Sequence, residues 1–293
     1  MADTVTYSQA YQQGMREEMA RDDTTFIVGT DIYDRGGHFA QVKGLGPEFG
    51  HNRVRDAPIS EGAMVAAGVG AALNGCRPMI DLNFMDFAYG AMDEIVNQAA
   101  KILYMWGAHV PLVIRATAGV AGGGAQHNNS LQSWFTSMPG LAVVFPSRAY
   151  DVKGLIKSAM RSNDPVIFMM HKKLTGVRGE VGGPEDLVPL GSARTVRPGK
   201  DVTVITYAND VGTCVKAADK LAEQGIECDV IDLRTLYPLD MPTILESVKR
   251  TGKVVIVDEA PRHGSLSAEI AARITEEAFF YLDAAPQIGR AHV

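Results

Sequence analysis

The chain has 293 residues, enough at about 150 residues per domain for two hydrophobic cores. Apolar residues make up 46% and charged residues 21%, which excludes long disorder, a collagen-like repeat and a coiled coil. A formal charge of −6, a pI near 5.7 and the lack of any Lys/Arg-rich run exclude the electrostatic footprint of a nucleic-acid binder and point to small substrates.

In chain order, apolar spacing predicts a helix over Tyr7 to Arg21, a strand over Thr25 to Gly29, a helix over Glu61 to Asn74 and a strand over Pro78 to Phe84. It continues with a helix over Tyr89 to Met105, a strand over Pro111 to Thr117 and a short helix over Leu131 to Ser137. A strand over Leu141 to Pro146, a helix over Ala149 to Arg161 and a strand over Val166 to His171 close this half. Strands alternating with helices are the pattern of βαβ units and a parallel sheet, and LVIRAT, AVVFP and VIFMMH have the few charges expected of strands buried on both faces. Between Arg178 and Lys200 the period stops and Gly and Pro punctuate, which reads as a linker. Beyond it DVTVITYAND, ECDVIDLRT and KVVIVDEA predict strands, with helices near Val211 to Gln224, Met241 to Arg250 and Ser265 to Phe280. The fold class is α/β: a parallel-sheet domain over 1–177, a linker over 178–200 and a smaller α/β domain over 201–293.

After Ala284 the stretch APQIGRAHV offers neither a strand period nor a cap. The last six residues, Ile288 to Val293, resemble one reading frame of a sequencing-library adapter, so the expectation is that the natural C-terminus is missing and these residues are read-through. A genomic reading frame encoding IGRAHV at this place would refute it. The three cysteines, Cys76, Cys214 and Cys228, are odd in number and lack CxxC spacing, which fits a reducing compartment. With no signal-peptide core at the N-terminus and no run of 18 apolar residues, the expectation is a cytoplasmic protein without a membrane span.

Several residue groups carry possible chemistry. Gly68-x-Gly70 resembles a dinucleotide fingerprint, but Leu73 stands where its third glycine belongs and the segment lies inside a helix, so close helix packing explains it better. In Pro58-Ile59-Ser60-Glu61 an acid opens a helix. On spacing alone, complementing the helix dipole, worth about 0.3–1 kcal/mol, is sufficient reason. The stretch Gly119 to His127, GVAGGGAQH, is more informative. Its glycines permit positive φ and bring a histidine to the carboxyl end of a parallel strand, where open α/β sheets bind ligands, so His127 is a candidate proton-handling residue. His171 reads as a satisfied strand-end histidine. Asp81, Asp86 and Asp93 with Glu94 form no EF-hand pattern and read as solvated or capping residues. Met15, Met19, Met85, Met92, Met105, Met138, Met169 and Met170 read as core filling.

Taken together, DAPISEGAMVAAGVGAALNGCRP, DFAYGAMDEIVNQAAK, GAQHNNS, MPGLAVVFPS, DVKGLIKSAMRSNDPVIF, ECDVIDLRTLYPLD and VVIVDEA resemble, in order, segments of one family. It is the β subunit of the thiamine-diphosphate-dependent 2-oxoacid dehydrogenases, the pyruvate, branched-chain and acetoin group, within the transketolase-like superfamily. The resemblance runs from about Tyr7 to Leu282. It implies a pyrimidine-binding domain followed by a transketolase C-terminal-like domain, and a heterotetramer of two α and two β chains with thiamine diphosphate at the α/β interface. In the family the α subunit grips the diphosphate and Mg²⁺ through Gly-Asp-Gly, a motif this sequence lacks, while the β chain holds the aminopyrimidine.

Matched residue by residue, the resemblance implies that Glu61 bonds the pyrimidine ring nitrogen and so sets the tautomer that activates the cofactor. Phe87 matches an aromatic that stacks on the pyrimidine, and Ile59 matches a residue lying against it. His127 matches a histidine that assists transfer of the acyl group to the lipoyl-bearing dihydrolipoamide acyltransferase. Backbone carbonyls of Leu112, Ala159, Ser162 and Asp164 fall where some members bind a structural K⁺. The second domain implies a β/β contact and a docking surface for the acyltransferase, and Glu259 and Arg262 read as surface charge. One departure stands out. Family members carry Gly-Glu-Asp or Gly-Glu-Glu after the first strand, and here Gly29-Thr30-Asp31 replaces it. Weakened proton coupling between the two active sites is expected, and unchanged half-site kinetics in Thr30→Glu would count against it.

The expected function is thiamine-diphosphate-dependent oxidative decarboxylation of a 2-oxoacid, or acetoin cleavage, with acyl transfer to a lipoyl group, by a chain active only with its α subunit. Two alternatives stand beside it. One is the C-terminal half of a split transketolase-like enzyme acting on sugar phosphates, disfavoured by a Gly-rich loop without Lys or Arg. The other is a catalytically silent assembly subunit.

Overall fold

In the computed structural model, which describes residues 4–290, the N-terminal part runs β1 (Thr4–Thr6), α1 (Tyr7–Arg21), β2 (Thr25–Gly29), α2 (Leu45–Phe49), β3 (Val54–Asp56), α3 (Glu61–Leu73) and β4 (Arg77–Phe84). It continues with α4 (Ile102–Trp106), β5 (Val113–Ala118), α5 (Gln132–Thr136), β6 (Ala142–Val144), α6 (Ala149–Arg161), β7 (Val166–His171) and β8 (Arg178–Glu180). The C-terminal part comprises β9 (Arg194–Arg197), β10 (Val202–Thr206), α7 (Asp210–Ala222), β11 (Cys228–Asp232), β12 (Thr235–Tyr237), α8 (Met241–Thr251), β13 (Val254–Asp258), α9 (Leu266–Ala278) and β14 (Gln287–Arg290). Contacts divide the chain into two units. One holds the chain up to Val144 with Arg148–Leu190, and the other holds Phe145–Ser147 with the chain from Gly191. Among the described residues no helix is long and apolar enough to cross a membrane.

In the first unit six strands run parallel in the order β6-β7-β5-β4-β2-β3. Strand residues alternate between the two faces of the sheet. Met79 of β4 joins the cluster that α1 and α6 cover, whereas its neighbour Ile80 meets α3. Helix α1 starts on a capping box: the Gln9 amide donates to Thr6 Oγ1 at 3.2 Å, and the Thr6 amide donates to Gln9 Oε1 at 2.9 Å. It lies close on α6 because Gly14 has no side chain; a Cβ there would stand 2.5 Å from Ile156. Gly68 serves α3 likewise, a Cβ there falling 2.9 Å from Ile80, so close packing accounts for this half of the apparent fingerprint. Gly70 faces open space, and nothing in the packing requires it.

The segment expected as one helix over Tyr89 to Met105 is three pieces: a 3-10 helix over Met85–Ala91, a π turn over Glu94–Ala99 and α4. Tertiary approach is the reason. Gly140 packs so tightly on the Ala100 carbonyl that a Cβ would sit 1.9 Å from it, and the Ala100 amide bonds back five residues to Ile95 at 3.0 Å. Met105, expected in a core, is 49% exposed on α4 beside Tyr104 and Trp106.

In the second unit the sheet order is β14-β13-β10-β11-β9, with β9 antiparallel and the others parallel. Two strands arise inside the stretch 178–200, where no period was visible: β8 pairs with β1, and β9 pairs with β11. The segment after Ala284, expected to hold no strand, supplies β14, with Ile288 opposite Ile256. These edge strands are short and are held by backbone pairing, which needs no side-chain alternation. Residues 291–293 of the adapter-like segment lie outside the described residues.

Candidate functional site

Parallel strands share one carboxyl edge, and four adjacent strands deliver the candidate residues to it. His127 follows β5, Phe87 follows β4, Thr30 follows β2, and Ile59 and Glu61 follow β3, in the spatial order β5-β4-β2-β3. Helix α3 packs against the 3-10 helix Met85–Ala91, so the helix opened by Glu61 adjoins the one carrying Phe87. Gly62 allows that approach, since a Cβ there would lie 3.0 Å from the Gly90 carbonyl.

Glu61 is half-buried in the first turn of α3, and Ser60 caps that helix with no side-chain hydrogen bond. No described hydrogen bond or ion pair engages the Glu61 carboxylate. Beside it in sequence, Ile59 is 80% exposed, and Phe87 also presents part of its ring to solvent. An acceptor at a helix start with exposed apolar groups nearby matches the donor and faces of a protonated, flat heterocycle. The residues present therefore fit an aminopyrimidine.

An aromatic group gathers around Phe84, the last residue of β4. The His127 ring lies 4.5 Å from it at 36°, Phe87 lies 5.7 Å away edge-on, and Phe87 and His127 meet at 5.7 Å. Phe39 and His38, from the loop after β2, reach the same ring at 5.2 Å each. Lys172 Nζ stands 5.7 Å over it and donates to the Gly119 carbonyl at 2.8 Å. Phe84, His38 and Lys172 carried no sequence signal: Phe84 reads as a strand residue, and only the shared edge brings the other two to it. Nδ1 of His127 is buried without a hydrogen-bond partner. Tyr89, T-stacked on Trp134 at 5.1 Å, has its hydroxyl pKa raised by partial burial and then by the nearby Asp86 charge.

Two acids read as solvated or capping are buried instead. Asp81 pairs with Arg115 at 3.3 Å, both fully enclosed, and also accepts from Gln41 Nε2 and the Asn83 amide at 2.8 Å each. Asp86 accepts from Asn129. A buried carboxylate persists only where such donors replace water, and sequence spacing does not reveal them. Asp93 does accept locally, from Asn97 Nδ2 at 2.6 Å. His171 is buried, with Nδ1 accepting from the Lys173 amide at 3.1 Å. Asp31 has φ of 56° and faces Arg35 at 3.6 Å, while Thr30 is half-buried.

The carbonyls of Leu112, Ala159, Ser162 and Asp164 lie near the amino ends of β5 and β7 and the end of α6, away from the edge that carries Glu61. Each accepts a described hydrogen bond: Leu112 from the Val166 amide at 2.9 Å, Ala159 from the Ser162 amide at 3.1 Å, Asp164 from Ser162 Oγ at 3.0 Å, and Ser162 from Arg77 at 2.7 Å. A carbonyl oxygen has two lone pairs, so a single accepted hydrogen bond does not by itself bar a hard cation.

Residues 3–177 match the model of the transketolase pyrimidine-binding domain, and residues 191–288 match that of the transketolase C-terminal domain. The chain is 42% identical over 286 residues to the 2-oxoisovalerate dehydrogenase subunit beta of Bacillus subtilis, covering 96% of this chain and 87% of that one. It is 44% identical over 297 residues to the acetoin:2,6-dichlorophenolindophenol oxidoreductase subunit beta of Cupriavidus necator, covering 97% and 88%. With the pyruvate dehydrogenase E1 component subunit beta of Rhizobium meliloti it shares 42% identity, over 96% of this chain and 62% of that one. Among solved structures, a split-gene transketolase in an inactive β4 tetramer superposes with a TM-score of 0.81 at 23% identity, covering 98% of this chain and 88% of that one, which is a likeness of fold. This chain belongs to the family of E1 β subunits of the 2-oxoacid and acetoin dehydrogenases, built from transketolase-type pyrimidine-binding and C-terminal domains.

Proposed function

We propose that the chain is the β subunit of the decarboxylating component of a 2-oxoacid or acetoin dehydrogenase complex, active only when an α subunit completes its cofactor site. The observation that carries this reading is the unpartnered Glu61 carboxylate at the same strand edge as Phe87 and His127, beside the exposed Ile59. Thiamine diphosphate supplies the nucleophilic carbon and the electron sink that a 2-oxoacid needs to lose its carboxylate.

The roles of this chain's residues follow from their surroundings. Glu61 accepts a hydrogen bond from the protonated ring nitrogen of the aminopyrimidine and holds the proton there. Phe87 and Ile59 cover the ring and exclude water. His127, three residues beyond Gly124, would give a proton to the sulfur released when the lipoyl disulfide, which serves as both oxidant and acyl acceptor, is opened. The diphosphate and Mg²⁺ fall to the α subunit, and the lipoyl-bearing acyltransferase is the further partner. A structural K⁺ on the carbonyls of Leu112, Ala159, Ser162 and Asp164 belongs to the same reading, since carbonyl oxygens are hard-cation ligands and can accept more than one partner. The family of the relatives favours oxoacids and acetoin over sugar phosphates.

The test is reconstitution. The chain is mixed with a co-encoded α subunit, thiamine diphosphate and Mg²⁺, and dye reduction is followed with pyruvate, branched 2-oxoacids and acetoin. Reduction that requires both chains supports the reading. No turnover with any of these substrates, or turnover of a sugar phosphate instead, overturns it.

A further inference from the structure

We infer that Asp86 and Asn129 are positioning residues: together they latch the Gly-rich loop to the 3-10 helix and thereby fix His127 against Phe84 and Phe87. This rests on the role proposed above for His127. The loop between β5 and α5 has little packing of its own. Gly122, Gly123 and Gly124 have φ of 84°, 94° and 85°, and a Cβ on Gly122 or Gly124 would meet nothing within 4 Å. Asn128 closes the loop on itself, accepting from the Ala121 amide at 2.9 Å and donating to the Gly124 carbonyl at 2.5 Å.

These bonds shape the loop without attaching it to the sheet. Lys172 secures its first residue through the Gly119 carbonyl. At the far end, beyond His127, Asn129 Nδ2 donates to Asp86 Oδ1 at 2.6 Å, and the Asn129 amide reaches the same oxygen at 3.3 Å.

Asp86 is suited to anchor the loop. It is 7% exposed, and its Oδ2 is buried without a hydrogen-bond partner, so its described hydrogen bonds both come from Asn129. The next residue on that 3-10 helix is Phe87, which meets the His127 ring at 5.7 Å. Among the described residues no hydrogen bond orients the His127 ring: Nδ1 is buried and unbonded, and the ring is met by Phe84 and Phe87. Where a catalytic imidazole usually takes its direction from a carboxylate or carbonyl on the other nitrogen, here the backbone position of the loop sets it. That position hangs on a carboxylate–amide pair two residues away.

The experiment uses the assembled α/β complex carrying Asn129→Ala, Asn129→Gln or Asp86→Leu. Two rates are compared: oxoacid-dependent dye reduction, and reductive acylation of a lipoyl domain. Displacing a reacting group by about 1 Å costs up to about a hundredfold, so Asn129→Ala is expected to lose tenfold or more in lipoyl acylation, with dye reduction and the oxoacid KM changed less than about twofold. Asn129→Gln, which keeps the amide, restores most of the loss, and Asp86→Leu repeats it. A second readout is independent of turnover. Backbone hydrogen exchange over residues 119–131 and carbethoxylation of His127, both followed by mass spectrometry, rise in Asn129→Ala and stay near wild type in Asn129→Gln. Equal losses in both rates, or unchanged exchange and carbethoxylation, overturn the latch. A wild-type complex inactive toward every oxoacid and acetoin removes the acyl-transfer role through failure of the functional reading, and the exchange arm then still decides whether the pair holds the loop.

Discussion

Replacing Glu61 by Gln separates what this carboxylate does for the fold from what it does for chemistry. Among the described residues no hydrogen bond or ion pair engages it, so the structural contribution identified for it is to the N-terminal end of the α3 dipole. At a half-exposed first-turn position that contribution is about 0.3–1 kcal/mol. For a unit of this size about 1 kcal/mol moves the Tm by about 2–4 °C, and Gln keeps the side-chain volume, so Glu61→Gln should unfold within about 4 °C of wild type. Control of a proton on the cofactor ring is another matter. Loss of a positioned acid or base typically costs about 10²–10⁴-fold, equivalent to about 3–5 kcal/mol of transition-state stabilisation. The assay pairs thermal unfolding of the free chain with dye reduction by the reconstituted complex at saturating thiamine diphosphate. Activity within threefold of wild type would refute the role given to Glu61. A Tm loss above 10 °C would show instead that the carboxylate is structural, with contacts absent from the description above.

Other outcomes follow from the same geometry. Arg115→Met leaves Asp81 buried with only the Gln41 and Asn83 donors, and breaking a buried pair of this kind costs about 3–5 kcal/mol; denaturant unfolding that shows less than about 1 kcal/mol would contradict it. If the carbonyls near the end of α6 hold K⁺, the Tm rises in KCl relative to NaCl at equal ionic strength, and equal values in the two salts rule the site out. Burial pushes the Cys214 thiol up to about 11 and also raises that of Cys228, so both remain thiols at pH 8 and resist alkylation. Cys76, half-buried in the turn between α3 and β4, should label first with iodoacetamide, and peptide mass spectrometry reads the order.

Much of this protein was legible in the residues themselves. The spans Tyr7–Arg21, Thr25–Gly29, Ala149–Arg161 and Val166–His171 emerge from local pattern alone: the first three from a periodic apolar face and its end signals, and Val166–His171 from a short uncharged apolar run suited to a strand buried on both faces. The Gly-rich run after β5 announced a loop at the carboxyl edge of the sheet, since glycine tolerates the positive φ that Gly122, Gly123 and Gly124 adopt there. The ordered series of segments identified the family; the role proposed for Glu61 comes from that resemblance, since spacing alone leaves it an ordinary helix-start acid.

Tertiary structure decided the rest, for reasons that period cannot carry. Asp81 and Asp86 read as surface acids because nothing local tells a carboxylate that Arg115 or Asn129, 34 and 43 residues away, will replace its water. The helix expected through Tyr89 to Met105 breaks because Gly140 presses on the Ala100 carbonyl, a contact between segments distant in sequence. Edge strands such as β8 and β14 form by borrowing hydrogen bonds from a neighbour already in place. Sequence fixes which residues can do chemistry, whereas the order β5-β4-β2-β3 decides that His127, Phe87 and Glu61 emerge side by side, since only parallel pairing turns distant strand ends into one edge.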